Sequence, residues 1–252
     1  MPAAAGTVKL EWLGWSFFRF TSPTGKVILT NPFIQGNPDA AVRVDDITQA
    51  DLILVPNAHG DEVGSTVAIA QKTGARTLQP FELGTFFMQQ GLPSDQVVRS
   101  NPGNRLRWEG ITIRLVNSVH GSGSGTGMNT EIVPSYGGPA AGFYITFENG
   151  WTVYFTGSSA ATQDQALWAS MYKPDAMIFH MGTGTEPMDV AMMIKLTTTD
   201  NPNLKTLMPH HHRVMPPPGS TTVAEVQAAL AAMGVNIPIT DQLRTQVYEF
   251  SK

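Results

Sequence analysis

Asp51-Leu52-Ile53-Leu54-Val55-Pro56-Asn57-Ala58-His59-Gly60-Asp61-Glu62-Val63-Gly64 is the stretch on which the reading of this chain turns. The aliphatic run between Asp51 and Pro56 has the length and composition of a strand buried on both faces. It feeds directly into a loop carrying an amide, an imidazole and two carboxylates. Metal sites need imidazole, carboxylate or carbonyl donors on a rigid element, and alternate residues of an extended loop can aim side chains at one point. Asn57, His59, Asp61 and Glu62 are therefore a candidate ligand set. The competing reading is an Asx-rich turn with a surface histidine.

Upstream, strands are predicted over 8–13, 16–20 and 26–30, a β-meander whose last turn is Ser22-Pro23-Thr24-Gly25. The Pro- and Asn-rich segment Asn31-Pro32-Phe33-Ile34-Gln35-Gly36-Asn37-Pro38 must be loop. Downstream, a helix over 65–73 stopped by Gly74 and a strand over 76–79 complete a β-loop-α-β unit. Strands over 111–119, 143–148 and 151–156 follow, the last two joined by Asn149-Gly150 as a two-residue hairpin. The final third alternates helices (164–171, 189–197, 223–233) with strands (176–179, 204–208, 246–250). This order predicts an α+β chain of one domain over 1–252, two packed sheets with helices on the outer faces.

The chain has 252 residues and no cysteine, which excludes disulfide scaffolds and thiol nucleophiles. Its 16 Lys+Arg against 20 Asp+Glu give a formal charge of −4, a poor match for nucleic acid. No apolar run approaches the roughly 20 residues needed to cross a bilayer. The start, Met1-Pro2-Ala3-Ala4-Ala5-Gly6, has neither a basic nor an apolar signal region. A cytoplasmic protein is expected, the alternative being the mature form of an exported one.

Other strand ends carry similar chemistry. His120 follows the strand over 111–119 and opens a Gly/Ser-rich stretch, Gly121–Gly127, read as a lid or linker. Thr156-Gly157-Ser158-Ser159 offers hydroxyls, and His210-His211-His212 follows Pro209. Imidazoles and carboxylates at successive strand ends are what a metal pocket at the rim of a sheet pair requires.

With these segments in this order, the sequence resembles the metallo-β-lactamase fold, and within it the L-ascorbate-6-phosphate lactonase-like branch of metal-dependent hydrolases. That branch reads Asp-Pro-Phe-x-x-Gly-Asn-Pro, a strand into His-x-His-x-Asp-His, a lone His, Gly-Asp-Thr and a final Pro-x-His. The resemblance implies an αββα sandwich and a two-metal ligand set. At the ligand positions His59, Asp61, His120 and His211 keep the expected type, while Asn57 and Glu62 stand for histidines and Ser158 for the bridging aspartate. Asn31 likewise stands for an aspartate.

Without the bridging carboxylate, two cations would lie close together unshielded, so one divalent metal is expected: zinc, with manganese or iron as alternatives. The Asn-x-His-x-Asp pattern is also similar to that of the mono-zinc, carbapenem-hydrolysing metallo-β-lactamases. Carried over, Asp61 and His211, with Glu62, would hold the metal, leaving His59 and His120 to position or deprotonate water. Alternatively Asn57, His59 and His120 would hold it.

If the chain is extended through the histidine trio, only one face points inward, and His211 is the expected one. His180 is a replacement ligand or a core histidine. Arg213 could meet an anionic substrate group or be an ordinary surface residue. Several of the 12 methionines fall near the expected pocket, where they would pack the core or suit an apolar substrate. The expected function is hydrolysis of a small molecule at a lactone, ester, amide or activated carbon-halogen bond by a homodimer or larger assembly. The alternative is a metal-free binding or oligomerisation module.

Overall fold

The computed structural model describes residues 6–124 and 135–252. In chain order the first half contains β1 (Val8–Gly14), β2 (Phe17–Thr21), β3 (Val27–Thr30), β4 (Leu52–Leu54), α1 (Gly60–Val63), α2 (Thr66–Thr73), β5 (Arg76–Pro80), α3 (Phe81–Gln89), β6 (Val97–Ser100), β7 (Arg105–Trp108) and β8 (Ile111–Asn117). The second half adds β9 (Gly123–Ser124), β10 (Ser135–Tyr136), β11 (Ala141–Thr146), β12 (Thr152–Phe155), α4 (Asp164–Tyr172), β13 (Ala176–His180), α5 (Pro187–Thr197), β14 (Thr206–His210), α6 (Val223–Ala232) and β15 (Val247–Phe250).

Two mixed sheets form, in the orders β15-β1-β2-β3-β4-β5-β6 and β14-β13-β12-β11-β8-β7, with β9 and β10 as a separate ribbon. Side chains alternate across each strand, so every strand feeds two layers. Leu52 and Leu54 meet Phe155, Ile178 and Met208 between the sheets. Ile53 and Val55 turn the other way, onto Ile69 of α2 and Leu83 and Phe87 of α3. Tyr154, Met177 and Phe179 face outward onto Val190 and Ile194 of α5 and Leu230 of α6. The result is an αββα sandwich, and it explains why the run 52–55 is apolar throughout.

Strands β3 to β6 run parallel, as do β12 to β14. The loops after β3, β4, β12, β13 and β14 therefore leave from matching carboxyl ends, where ligands bind in open parallel sheets. Two hydrogen bonds tie this end together: Ala141 N donates to Pro56 O at 2.9 Å, and His211 N to Trp15 O at 3.2 Å. Among the described residues no helix is long and apolar enough to cross a membrane.

Several local expectations change. The 147–151 hairpin is not a two-residue turn: Phe147 N bonds Trp151 O at 2.9 Å, Gly150 N bonds Phe147 O at 2.9 Å, and Gly150 has φ 85. That is a three-residue loop with glycine in the left-handed position. Helix α3 was not expected, because Gly84 sits inside it. A Cβ there would lie 3.1 Å from Val97 Cγ1, so the glycine lets the helix press onto β6. Of the expected lid, Gly123–Ser124 pairs with Ser135–Tyr136, and Gly125, Thr126 and Gly127 lie outside the described residues.

Candidate functional site

The loop after β4 is not extended throughout. His59 caps α1 with φ −65 and ψ 148, and the helical turn Gly60–Val63 carries Asp61 and Glu62. The amide oxygen of Asn57 accepts the His59 N–H at 3.0 Å, an Asx turn that fixes where the helix begins. Asp61 and Glu62 are thus aimed by helix geometry rather than by strand alternation. Strand β8 stops at Asn117, so His120 stands beyond the strand on a loop.

Two clusters result. His59 Nδ1 lies 3.2 Å from His120 Nε2, with ring centroids 4.9 Å apart. One of these nitrogens must donate, so the pair shares a proton. In the second cluster Asp61 Oδ2 accepts from His211 Nε2 at 3.1 Å and from Trp15 Nε1 at 3.1 Å. Glu62 is 1% exposed; its Oε1 accepts the Ser158 hydroxyl and lies 4.0 Å from His211 Nε2. Its Oε2 is buried without a partner. His180 stands between the clusters, its ring 4.8 Å from His211 and 6.3 Å from His120.

The histidine trio is not extended, since His211 has φ 63. Its members go to three places. His210 is the last residue of β14 and fully buried, its Nδ1 3.0 Å from Ser16 Oγ and its Nε2 donating to Gly157 O at 3.1 Å. His211 reaches Asp61, and His212 stacks on Trp12 with centroids 4.7 Å apart. Arg213 does not await an anion: its Nε donates to Asp39 Oδ2 at 2.7 Å. Asn31 is fully buried with φ 44, and neither polar atom of its side chain has a partner.

Trp15 is a site residue that the sequence did not mark. It sits with φ 57 in the turn between β1 and β2, and its ring packs 4.5 Å from His211. A tryptophan beside Gly14 between two legible strands was the available signal.

A β-lactamase superfamily domain family matches residues 26–237, most of the chain. The chain belongs to the β-lactamase superfamily. Among its relatives, a UPF0173 metal-dependent hydrolase of Carboxydothermus hydrogenoformans is 34% identical over 235 residues, 92% of this chain and 96% of that protein. One from Rubrobacter xylanophilus is 29% identical over 213 residues, 84% of each chain. Igni18, a metallo hydrolase of Ignicoccus hospitalis, superposes with a TM-score of 0.80 at 21% identity, covering 98% of this chain and 99% of its own. An isothiocyanate hydrolase from Delia radicum gut bacteria does so with 0.70 at 16% identity, covering 97% and 100%. These two likenesses establish the shared fold.

Electrostatically, the site of this β-lactamase superfamily domain is split. Burial works against ionisation of Asp61, but the hydrogen bond and charge of His211, helped by Trp15, take its pKa down to about 2. Burial likewise opposes charge on His211, and Asp61 and Glu62 outweigh it, holding that imidazole above its ordinary value. Glu62 goes the other way: burial pushes its carboxyl up to about 7. Burial and neighbouring imidazoles lower His120 to about 4 and His180 to about 3, so both are neutral at pH 7.

A two-cation centre does not fit these residues. Where the resembled pattern has its bridging aspartate stands Ser158, whose neutral hydroxyl is already given to Glu62. Among the described residues no group of three His, Asp or Glu side chains is placed to hold a metal ion as it stands, Asp61, Glu62 and His211 included. His59 closes on His120 and Asp61 on His211. One cation is a different matter. Asp61, Glu62 and His211 supply two carboxylates and an imidazole, and the buried Oε2 of Glu62 is an acceptor with no donor. A cation in exchange for the His211 proton would use all three. At Asn57 the amide oxygen already accepts from His59 N, so the alternative set is poorer in free donors.

Proposed function

We propose that this domain is a hydrolase working with one divalent cation held by Asp61, Glu62 and His211. The observation that carries the proposal is the unpartnered, buried Glu62 Oε2 beside the Asp61–His211 pair. The relatives' name, metal-dependent hydrolase, supports the same reading. When bound, the cation, zinc or else manganese or iron, supplies positive charge that brings the pKa of water from 15.7 toward about 7.

The chain's own residues do the remaining work. His120 is neutral and can accept a proton from the attacking water, and its 3.2 Å contact with His59 lets the pair pass that proton on. Trp15 orients Asp61 through one hydrogen bond, and Ser158 holds Glu62. The bond attacked is a lactone, ester, amide or activated carbon-halogen bond in a small molecule. The lactonase-like branch, a homo-oligomeric state and a cytoplasmic setting belong to this proposal; light scattering on a sizing column tests the second.

A non-catalytic binding module is the rival, favoured by the closure of Asp61 on His211. Metal content per chain by plasma mass spectrometry, on untagged protein prepared without chelator, separates the two. About one metal, lost in Asp61→Ala and in His211→Ala, supports the hydrolase. Two metals per chain overturn the single-cation site, and a folded chain that refuses added metal overturns the hydrolase and favours the module.

A further inference from the structure

A cavity of about 220 Å³ opens beside the site, bounded by the loops after β8 and β12 and by the start of α5. At about 30 Å³ per water molecule it has room for roughly seven waters, or for a group of about as many heavy atoms. His120, His180 and Ser158 line one wall, and Ser158 bonds Glu62 behind it. Ala160, Ala161, Val190 and Met193 give the apolar lining, with Met193 1% and Val190 4% exposed.

The hydroxyls of the lining are already engaged. Ser158 donates to Glu62, and Ser159 Oγ donates to Ala160 O at 2.8 Å and accepts from Val119 N at 3.0 Å. Thr185 Oγ1 donates to Gly182 O at 2.9 Å and accepts from Gly182 N at 3.2 Å. No lysine or arginine lines the cavity, and the charged residues that do are Glu186 and Asp189 at the start of α5, both exposed. Their ordinary service is to the helix N-terminus, but they also set the sign of the field at the mouth. An anion entering here would meet like charge at the mouth and find no lysine or arginine in the lining, and burying an unpaired charge is costly.

Resting on the hydrolase reading above, we propose that this cavity receives the non-reacting part of the substrate and selects a compact, uncharged aliphatic group. Sugar phosphates and other anionic substrates are refused by its lining.

The test uses isobutyramide and isobutyrate, which share a shape and differ by one charge at pH 7. Protein labelled with ¹³C at methionine methyls is titrated with each, the Met193 signal being assigned by Met193→Leu. Isobutyramide is expected to shift Met193 at millimolar concentration, and isobutyrate to need on the order of tenfold more. Glu186→Gln with Asp189→Asn, both on the exposed rim, should narrow that gap. Equal response to the two probes, or no Met193 response to either, overturns the pocket assignment. Hydrolysis of p-nitrophenyl isobutyrate is followed in parallel. Selective Met193 shifts in a folded protein that refuses added metal overturn the hydrolase reading and support the pocket; metal-dependent turnover without Met193 shifts does the reverse.

Discussion

Ser158 donates its hydroxyl to Oε1 of Glu62, so the two residues standing where the resembled ligand pattern has an aspartate and a histidine are bonded to each other. A neutral donor facing a buried carboxyl replaces a pair that would both have bound metal. Ser158→Ala is expected to destabilise the chain by about 1–3 kcal/mol, because it leaves Glu62 with two unpartnered oxygens. In a double-mutant cycle with Glu62→Gln, urea unfolding should give a coupling of roughly 0.5–3 kcal/mol. Additive effects would show that the contact carries no energy.

Trp15 acts on the site through Asp61, and Trp15→Phe keeps an aromatic ring, a smaller one, while deleting the N–H. Metal affinity is expected to fall on the order of tenfold, the lower end of what an orienting hydrogen bond contributes. Competition against a chromophoric chelator measures it, and unchanged affinity would mean that Asp61 is held without Trp15.

Gly64 joins the site helix to the segment after β3. It has φ 47, and a Cβ would lie 2.5 Å from Pro32 O and 2.6 Å from Phe33 Cα. Both the conformation and the space demand glycine. Gly64→Ala is expected to cost more than about 1 kcal/mol and to weaken metal binding by displacing α1. Thermal unfolding with a parallel metal titration checks both; a fully stable variant that has lost metal would place the effect in the helix alone.

For chelator-stripped protein the pH dependence has a definite sign. Glu62 is raised from 4.5 to about 7, so the folded chain holds this proton more tightly than the unfolded one. Its stabilising contribution is full below about 4.5 and is lost as pH rises through about 7. Asp61, lowered from 3.8 to about 2, contributes above 3.8 and loses that contribution as pH falls through about 2. His120 and His180, held neutral, lose theirs as pH falls from 6.5 toward about 4 and about 3. The stability of the native sequence relative to Glu62→Gln should therefore decline between pH 4.5 and pH 7, by on the order of 3 kcal/mol. A difference constant across that range would show that Glu62 titrates normally.

The αββα layering was legible because it rests on local patterns: aliphatic runs of strand length, alternation in the flanking strands, and Gly74 closing α2. What escaped were elements whose residues look wrong in isolation, such as α3 with Gly84 inside it. The order of the polar strand ends named His59, Asp61, Glu62, His120, Ser158 and His211 as candidates. Order alone could not tell that Arg213 turns to Asp39 or that His210, His211 and His212 part company at a left-handed residue.

The sequence by itself determined the family, the layers and the roster of donors, since these depend on periodicity and on which residues follow which strand. Only the tertiary structure decided which donors meet. Trp15, Asp61 and His211 come from segments far apart in the chain, and their contact depends on how two sheets align their carboxyl ends. Whether Glu62 is a charged ligand or a protonated neighbour of Ser158 depends on burial, which arises only when those ends close over it.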